Sequence, residues 1–245
     1  MTFTGIAPGH ASLLGLQWLA RVGAAPAEAL QLVMGCSERV ARDHIRRLEI
    51  AGLVQRDAMR RGQGALIVIT RNGAREAGQP VSRALRSPGP ATWAHACACA
   101  WVGAWLGLRG HAWCSEREIL CDDFWRYELA YEDHRGTARI THHPDLAALL
   151  PAGPVAIEVE LQRKAVGRLR GVLAMYAQLN DPDGPLVGII YVTDRADIAD
   201  LVARAANDVG LCSPALSFRT LTDVIAQTRA AAGERPVDRA TKDPA

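Results

Sequence analysis

The sequence predicts an α/β protein in two unlike parts: a basic, helix-rich N-terminal module, then a larger module built on a mixed, partly parallel sheet. Three observations carry this. From Ala11 to Val22 apolar residues recur every three positions, the period of a helix with one buried face, and two further helical stretches follow to residue 53. From residue 154 onward, short β-rich runs alternate with amphipathic helical stretches, the order of an α/β unit with parallel strands. Between them GQPVSRALRSPGPA, residues 78–91, is rich in Pro, Gly and Ser and reads as a linker. The expected divisions are 1–78, a linker at 79–91, a second domain at 92–230 and a disordered tail at 231–245.

The chain has 245 residues, 49% hydrophobic and 22% charged, enough to bury proper cores, which excludes disorder for most of it. Six cysteines, with no charged-then-apolar leader, exclude a secreted disulfide scaffold and lead us to expect a reducing cytoplasm. The formal net charge of +2 conceals an asymmetry. Residues 1–90 hold 12 Lys+Arg against 6 Asp+Glu, whereas residues 91–245 hold 16 against 20. Of the 28 basic residues only Lys164 and Lys242 are lysines. Coding bias explains most of that, which makes the position of a lysine informative. The nearly uncharged run at 91–108, ATWAHACACAWVGAWLGL, has the length of a membrane span. Its Ala, Cys and Gly content and His95 favour instead a buried helix opening the second domain, and no membrane partner is expected.

In the first module, Leu13, Leu16, Leu19 and Val22 mark one helix. Pro26 opens a second, with Leu30 and Val33 inward, and Gly35 breaks it. Ser37 stands where an N-cap would, before SERVARDHIRRLEIAGL, a third helix with Val40, Ile45, Leu48 and Leu53 apolar. LVQRDAMRRGQGALIVIT then gives a strand, a loop bearing Arg60 and Arg61, and a β-branched strand from Leu66 to Thr70. This order, with LEIAGLVQR and LIVITRNGAREAG, resembles winged-helix regulators over residues 10–78. The resemblance implies an N-terminal winged helix-turn-helix that binds double-stranded DNA. Arg39, Arg42, His44, Arg46 and Arg47 occupy non-core positions of the third helix, where they can reach phosphates or base edges in a major groove. Arg60 and Arg61 would meet the backbone or a minor groove. The plain alternative is a solvated helix face. Winged-helix proteins often pair on palindromic sites, so a homodimer is one open arrangement.

In the second domain, GTARI reads as a short strand, VAIEVELQ as a strand entered through a Gly-Pro turn, and 163–179 as a helix with Val166, Leu169, Leu173 and Tyr176 on one face. LVGIIYVTD is a second apolar strand, followed by a helix with Ile198, Leu201, Val202 and Ala205 and a last strand at ALSFRTL. The carboxylates stand out. Glu158 and Glu160, i and i+2 on one strand, project from the same face, which is unfavourable unless a cation or proton lies between them. With Asp145 nearby they would make an all-oxygen site suited to Mg²⁺ or Mn²⁺.

A PD pair, a spacer, then a strand bearing E-x-E before a helix resembles the PD-(D/E)XK nuclease superfamily, the fold of many restriction endonucleases. The resemblance implies a restriction-endonuclease-like α/β domain with a mixed sheet, in which Asp145 and Glu158 match the metal-binding acids. Glu160 stands where the usual member has lysine, and Lys164, four residues on, could supply the missing ammonium. Gln162 would help orient phosphate or water, and Glu116 or Glu118 of the SERE segment would supply a further acid. The whole order over residues 10–220 resembles the plasmid replication-relaxation family and related mobilisation relaxases. Two functions are implied. In one, a plasmid or mobile-element protein nicks or cleaves DNA at a site chosen by its winged helix, a metal on Asp145, Glu158 and Glu160 polarising the phosphate and activating water while Lys164 neutralises developing charge. In the other, a non-catalytic regulator or replication and mobilisation accessory protein keeps the nuclease fold.

Other groupings read plainly. His142-His143 lack the His-x-His spacing of rolling-circle relaxases. Cys97 and Cys99 face different directions on a helix, and Cys114 and Cys121 lack a second pair at zinc-ribbon spacing. Trp93, Trp101 and Trp105 read as core. No G-x-x-x-x-G-K-[ST] loop occurs, so no nucleotide cofactor is expected.

Overall fold

The computed structural model describes residues 9–58, 65–79, 88–89, 91–133 and 136–234. The N-terminal unit runs α1 (His10–Val22), β1 (Ala24–Pro26), α2 (Ala27–Met34), α3 (Glu38–Ile50), β2 (Val54–Ala58), β3 (Ala65–Ile69) and α4 (Arg71–Glu76). Pro26 is the N-cap of α2, and Gly35, at φ 65°, ends it in the left-handed region that glycine adopts freely. The Ser37 hydroxyl accepts from the Val40 amide at 3.5 Å and starts α3. Ala41, Ile45 and Leu48 form the buried stripe of α3. Val40, one of the apolar positions of this helix, is 40% exposed, because it lies about 100° around the helix from Ala41.

The strands pair antiparallel in the order β1-β3-β2. Thr70 caps α4 by accepting from the Gly73 amide at 3.0 Å and donates to the carbonyls of Gly52 and Leu53. A Cβ on Gly73 would stand 1.9 Å from the Leu53 carbonyl oxygen, so this packing of α4 requires glycine.

The larger unit comprises α5 (Trp93–Leu108), β4 (Ala112–Ser115), α6 (Glu116–Ile119), a 3-10 turn at Asp123–Trp125, β5 (Tyr127–Asp133), β6 (Gly136–His142), β7 (Leu146–Leu150), β8 (Gly153–Val159), α7 (Val166–Leu179), β9 (Gly188–Val192), α8 (Ala196–Asp208), β10 (Leu216–Arg219) and α9 (Leu221–Glu234). The main sheet has the order β10-β9-β8-β7-β4. β8, β9 and β10 run parallel, while β7 is antiparallel to both β8 and β4. The fold is therefore mixed α/β with a mixed sheet. α7 and α8 are the crossovers between parallel strands. β5 and β6 form a separate antiparallel hairpin packed on α7.

Strand alternation divides the core. Val155, Ile157 and Val159 face α5 and the N-terminal unit, whereas Ala156, Ile189 and Tyr191 face α7 and α8. The first of these cores is continuous from Leu16, Leu30 and Ile67 to Trp101, Leu146 and Val192. The two units thus share one core. Residues 80–87 and 90 of the expected linker lie outside the described residues. Arg229 of α9 also forks onto Glu28 of α2 with bonds of 2.7 and 3.0 Å.

α5 is buried on most sides, which accounts for its uncharged sequence. Among the described residues no helix is long and apolar enough to cross a membrane. The expected tail needs correction at its start, since α9 continues through Glu234. Val224 and Thr228 are buried, and Trp105 Nε1 donates to Gln227 at 3.0 Å. That docking against α5 carries the helix past residue 230.

Candidate functional site

The register Leu146↔Ile157 sets Asp145, just before β7, opposite Glu158 at the end of β8. The Asp145 amide donates to the Ile157 carbonyl at 3.1 Å, and Asp145 Oδ2 accepts from the Val159 amide at 2.8 Å. Glu158 lies on the α7 face of the sheet and is 1% exposed. Its Oε1 accepts from His142 Nε2 at 2.8 Å and from the Tyr176 hydroxyl at 2.5 Å. Its Oε2 faces the Lys164 ammonium at 3.4 Å. The same ammonium lies 2.6 Å from Glu160 Oε2, so a cation does lie between the two glutamates, although Glu160 stands just past the end of β8. That cation is the lysine. Lys164 sits in the β8–α7 connection two residues before α7 begins, rather than on the helix. Gln162 is exposed on the same connection.

Burial pushes the Glu158 carboxyl up, but the charges of Lys164 and His142 and the hydrogen bonds from His142 and Tyr176 outweigh it and hold it down at about 2. Lys164 shows the complement. Burial alone would lower it, yet Glu158, Glu160 and Asp145 together raise it above the usual lysine value. Both groups are therefore charged at neutral pH.

A second cluster lies on the other side of Asp145. Its Oδ1 accepts from His95 Nε2 of α5 at 3.1 Å, and this bond, together with the charges of Asp145, Glu116 and Glu158, raises the His95 pKa against its burial. Glu116 is raised by burial and by Asp145. These residues line a cavity of about 440 Å³ between the two units, with Arg21, Ser115, Cys99 and Arg117 also in its wall. Cys99 Sγ is 3.4 Å from the same His95 nitrogen. Burial, then the nearby carboxylates, drives its thiol pKa up, away from the thiolate form that a nucleophile needs. Of the two acids in the SERE segment, Glu116 is the one beside Asp145. Glu118 instead closes a capping box with Ser115 and takes a fork from Arg21 at 2.9 and 3.1 Å.

A divalent metal does not fit the expected donor set as it is arranged. A Mg²⁺, Mn²⁺ or comparable ion would need oxygens at roughly 2.0–2.6 Å. The Oε2 atoms of Glu158 and Glu160 already face one ammonium, Glu158 Oε1 holds two donors, and both Asp145 oxygens are bonded. A metal on the glutamates would occupy the same space as a positive charge. Among the described residues no group of three or more His, Cys, Asp and Glu is set to hold a metal ion.

On the N-terminal unit, Arg39, Arg42, Arg46 and Arg47 are exposed on α3. Arg42 approaches Glu38 only at 3.9 Å. His44 departs from the expected outward role, because its Nδ1 is 2.6 Å from the Ser12 hydroxyl of α1 and it is half-buried. Arg60 and Arg61 lie outside the described residues.

Three site residues were not assigned from sequence. His142, read there only against the relaxase pattern, ends β6 and is buried on Glu158. Tyr176, read as an apolar helix position, contributes its hydroxyl. His95 supplies a counter-charge to Asp145. The available signal was a buried-looking strand glutamate, which demands donors from neighbouring elements.

No family model and no curated protein matches the chain. Among solved structures, protein VC1899 from Vibrio cholerae is similar at 14% identity and a TM-score of 0.32, over 91% of this chain and 50% of that one. The chain spans about half the length of that protein.

Proposed function

We propose that the protein binds double-stranded DNA through an N-terminal winged helix and acts as a non-cleaving regulator or replication and mobilisation accessory protein of a plasmid or mobile element. Its larger unit keeps a restriction-endonuclease-like core. The observation that carries this reading is the row of exposed arginines on α3, Arg39, Arg42, Arg46 and Arg47. That helix follows a short helix and a Gly35 turn and precedes a two-stranded hairpin. This is the layout in which a recognition helix enters a major groove. The excess of 12 Lys+Arg over 6 Asp+Glu in residues 1–90 adds the field that attracts a polyanion. The run β7, β8, α7, β9 with Asp145 and Glu158 at adjoining strand ends supports the nuclease-like reading of the core.

Cleavage is the second reading, favoured by the convergence of Glu158, Glu160 and Lys164 beside Asp145. The test is incubation of the purified chain with supercoiled and linear duplex DNA, with Mg²⁺ or Mn²⁺ and without. Binding without metal-dependent nicking is expected. Nicking that Asp145→Ala abolishes while binding persists would establish the second reading instead.

A further inference from the structure

We propose that Lys164 is the protein's own counter-cation for Glu158 and Glu160, standing in the place of a divalent ion, and that removing its ammonium opens a divalent-cation site. Glu158 lies near the end of β8 and Glu160 just beyond it, and two carboxylates so close repel unless a cation lies between them. Here that cation arrives on a short tether, four residues beyond Glu160. Its Nζ lies 2.6 Å from Glu160 Oε2 and 3.4 Å from Glu158 Oε2.

The three groups are largely withdrawn from water, with side-chain exposures of 2% for Glu158, 9% for Glu160 and 23% for Lys164. Water therefore screens their charges poorly, and one cation or another must be present. His142 and Tyr176 fix Glu158 through Oε1 alone. The Oε2 atoms of both glutamates are thereby left facing the point that the ammonium fills. Take the ammonium away, and two anionic oxygens are aimed at a site close to a third carboxylate, Asp145. A hard divalent ion suits such a set. This inference shares the poor metal fit with the proposed function but does not depend on DNA binding.

The experiment titrates Mn²⁺ into the full chain and follows free Mn²⁺ by electron paramagnetic resonance, alongside the melting temperature. Wild type is compared with Lys164→Ala and Lys164→Gln. Wild type is expected to leave Mn²⁺ free and its melting temperature unmoved. Both variants are expected to melt lower without metal, to bind Mn²⁺, and to regain melting temperature as they do. Adding Glu160→Gln to either variant should remove that gain. A wild-type Mn²⁺ site that Glu160→Gln abolishes would overturn the proposal, because lysine and metal would then coexist. So would variants that gain neither Mn²⁺ binding nor Mn²⁺-dependent melting, whether or not they fold in its absence. Neither readout involves DNA, so this failure is distinguishable from a failure of the DNA-binding reading.

Discussion

Arg21, in the last turn of α1, forks onto Glu118 of α6 with bonds of 2.9 and 3.1 Å. It also donates to the Trp113 carbonyl and lies 3.8 Å from the centre of the Trp113 ring. Arg117, next to Glu118, donates to the Ala20 carbonyl of α1. One turn of helix thus holds the N-terminal unit with Arg117 and Glu118 while Glu116 lines the cavity together with Asp145.

Arg21→Ala is expected to destabilise the fold by about 1–2 kcal/mol, since it removes a planar, partly buried fork and its ring contact together. In a double-mutant cycle with Glu118→Ala, measured by chemical denaturation, the two losses should be less than additive. Additive losses would show that the fork carries no coupling.

Tyr176→Phe removes a 2.5 Å hydrogen bond to a buried carboxylate and should cost about 1.5–3 kcal/mol. The same network fixes the acid limb of stability. Glu158 has a folded pKa held down at about 2, so its contribution is present above the ordinary glutamate value and is lost as pH falls toward the folded value. Urea midpoints between pH 5 and 2 should fall more steeply for wild type than for Glu158→Gln. Parallel profiles would contradict the assignment.

His95 has the opposite sign. Its pKa is raised, first by the hydrogen bond to Asp145, so its contribution is full below the ordinary histidine value and is lost as pH rises through the higher folded value. Wild-type stability should therefore decline across that interval while His95→Gln declines less. The imidazole chemical shift followed against pH gives a direct check. A titration at or below the ordinary value would remove the basis of the expectation.

Much of the fold was legible where local signals agreed. Pro26, Gly35 and Ser37 bound α2 and α3 for simple backbone reasons, and the alternation of β-rich runs with helical stretches after residue 154 gave β8, α7, β9, α8 and β10 in order. β7, by contrast, has the sequence LAALL. Alanine and leucine favour helix, and only pairing between β4 and β8 makes it a strand. α9 was missed because its helix depends on docking to α5, a contact no local pattern reveals. Lys164 joined the carboxylates only through the resemblance to the nuclease superfamily, but Glu158 and Glu160 were legible as a pair from their spacing. The donors that hold Glu158 were not, because His142 and Tyr176 lie 16 and 18 residues away and meet it only through the hairpin and α7.

The helix α3 is proposed to carry a DNA-binding surface. The direct measurement is fluorescence anisotropy of a labelled DNA duplex titrated with the chain at several salt concentrations. It is made for wild type and for a variant with Arg39, Arg42, Arg46 and Arg47 changed to alanine. Salt-sensitive wild-type binding is expected. The variant is expected to bind more weakly, with the slope of log K against log salt shallower by about 0.9 for each phosphate contact removed. Wild type that fails to bind duplex, or a variant that binds with unchanged affinity and slope, would contradict the proposal.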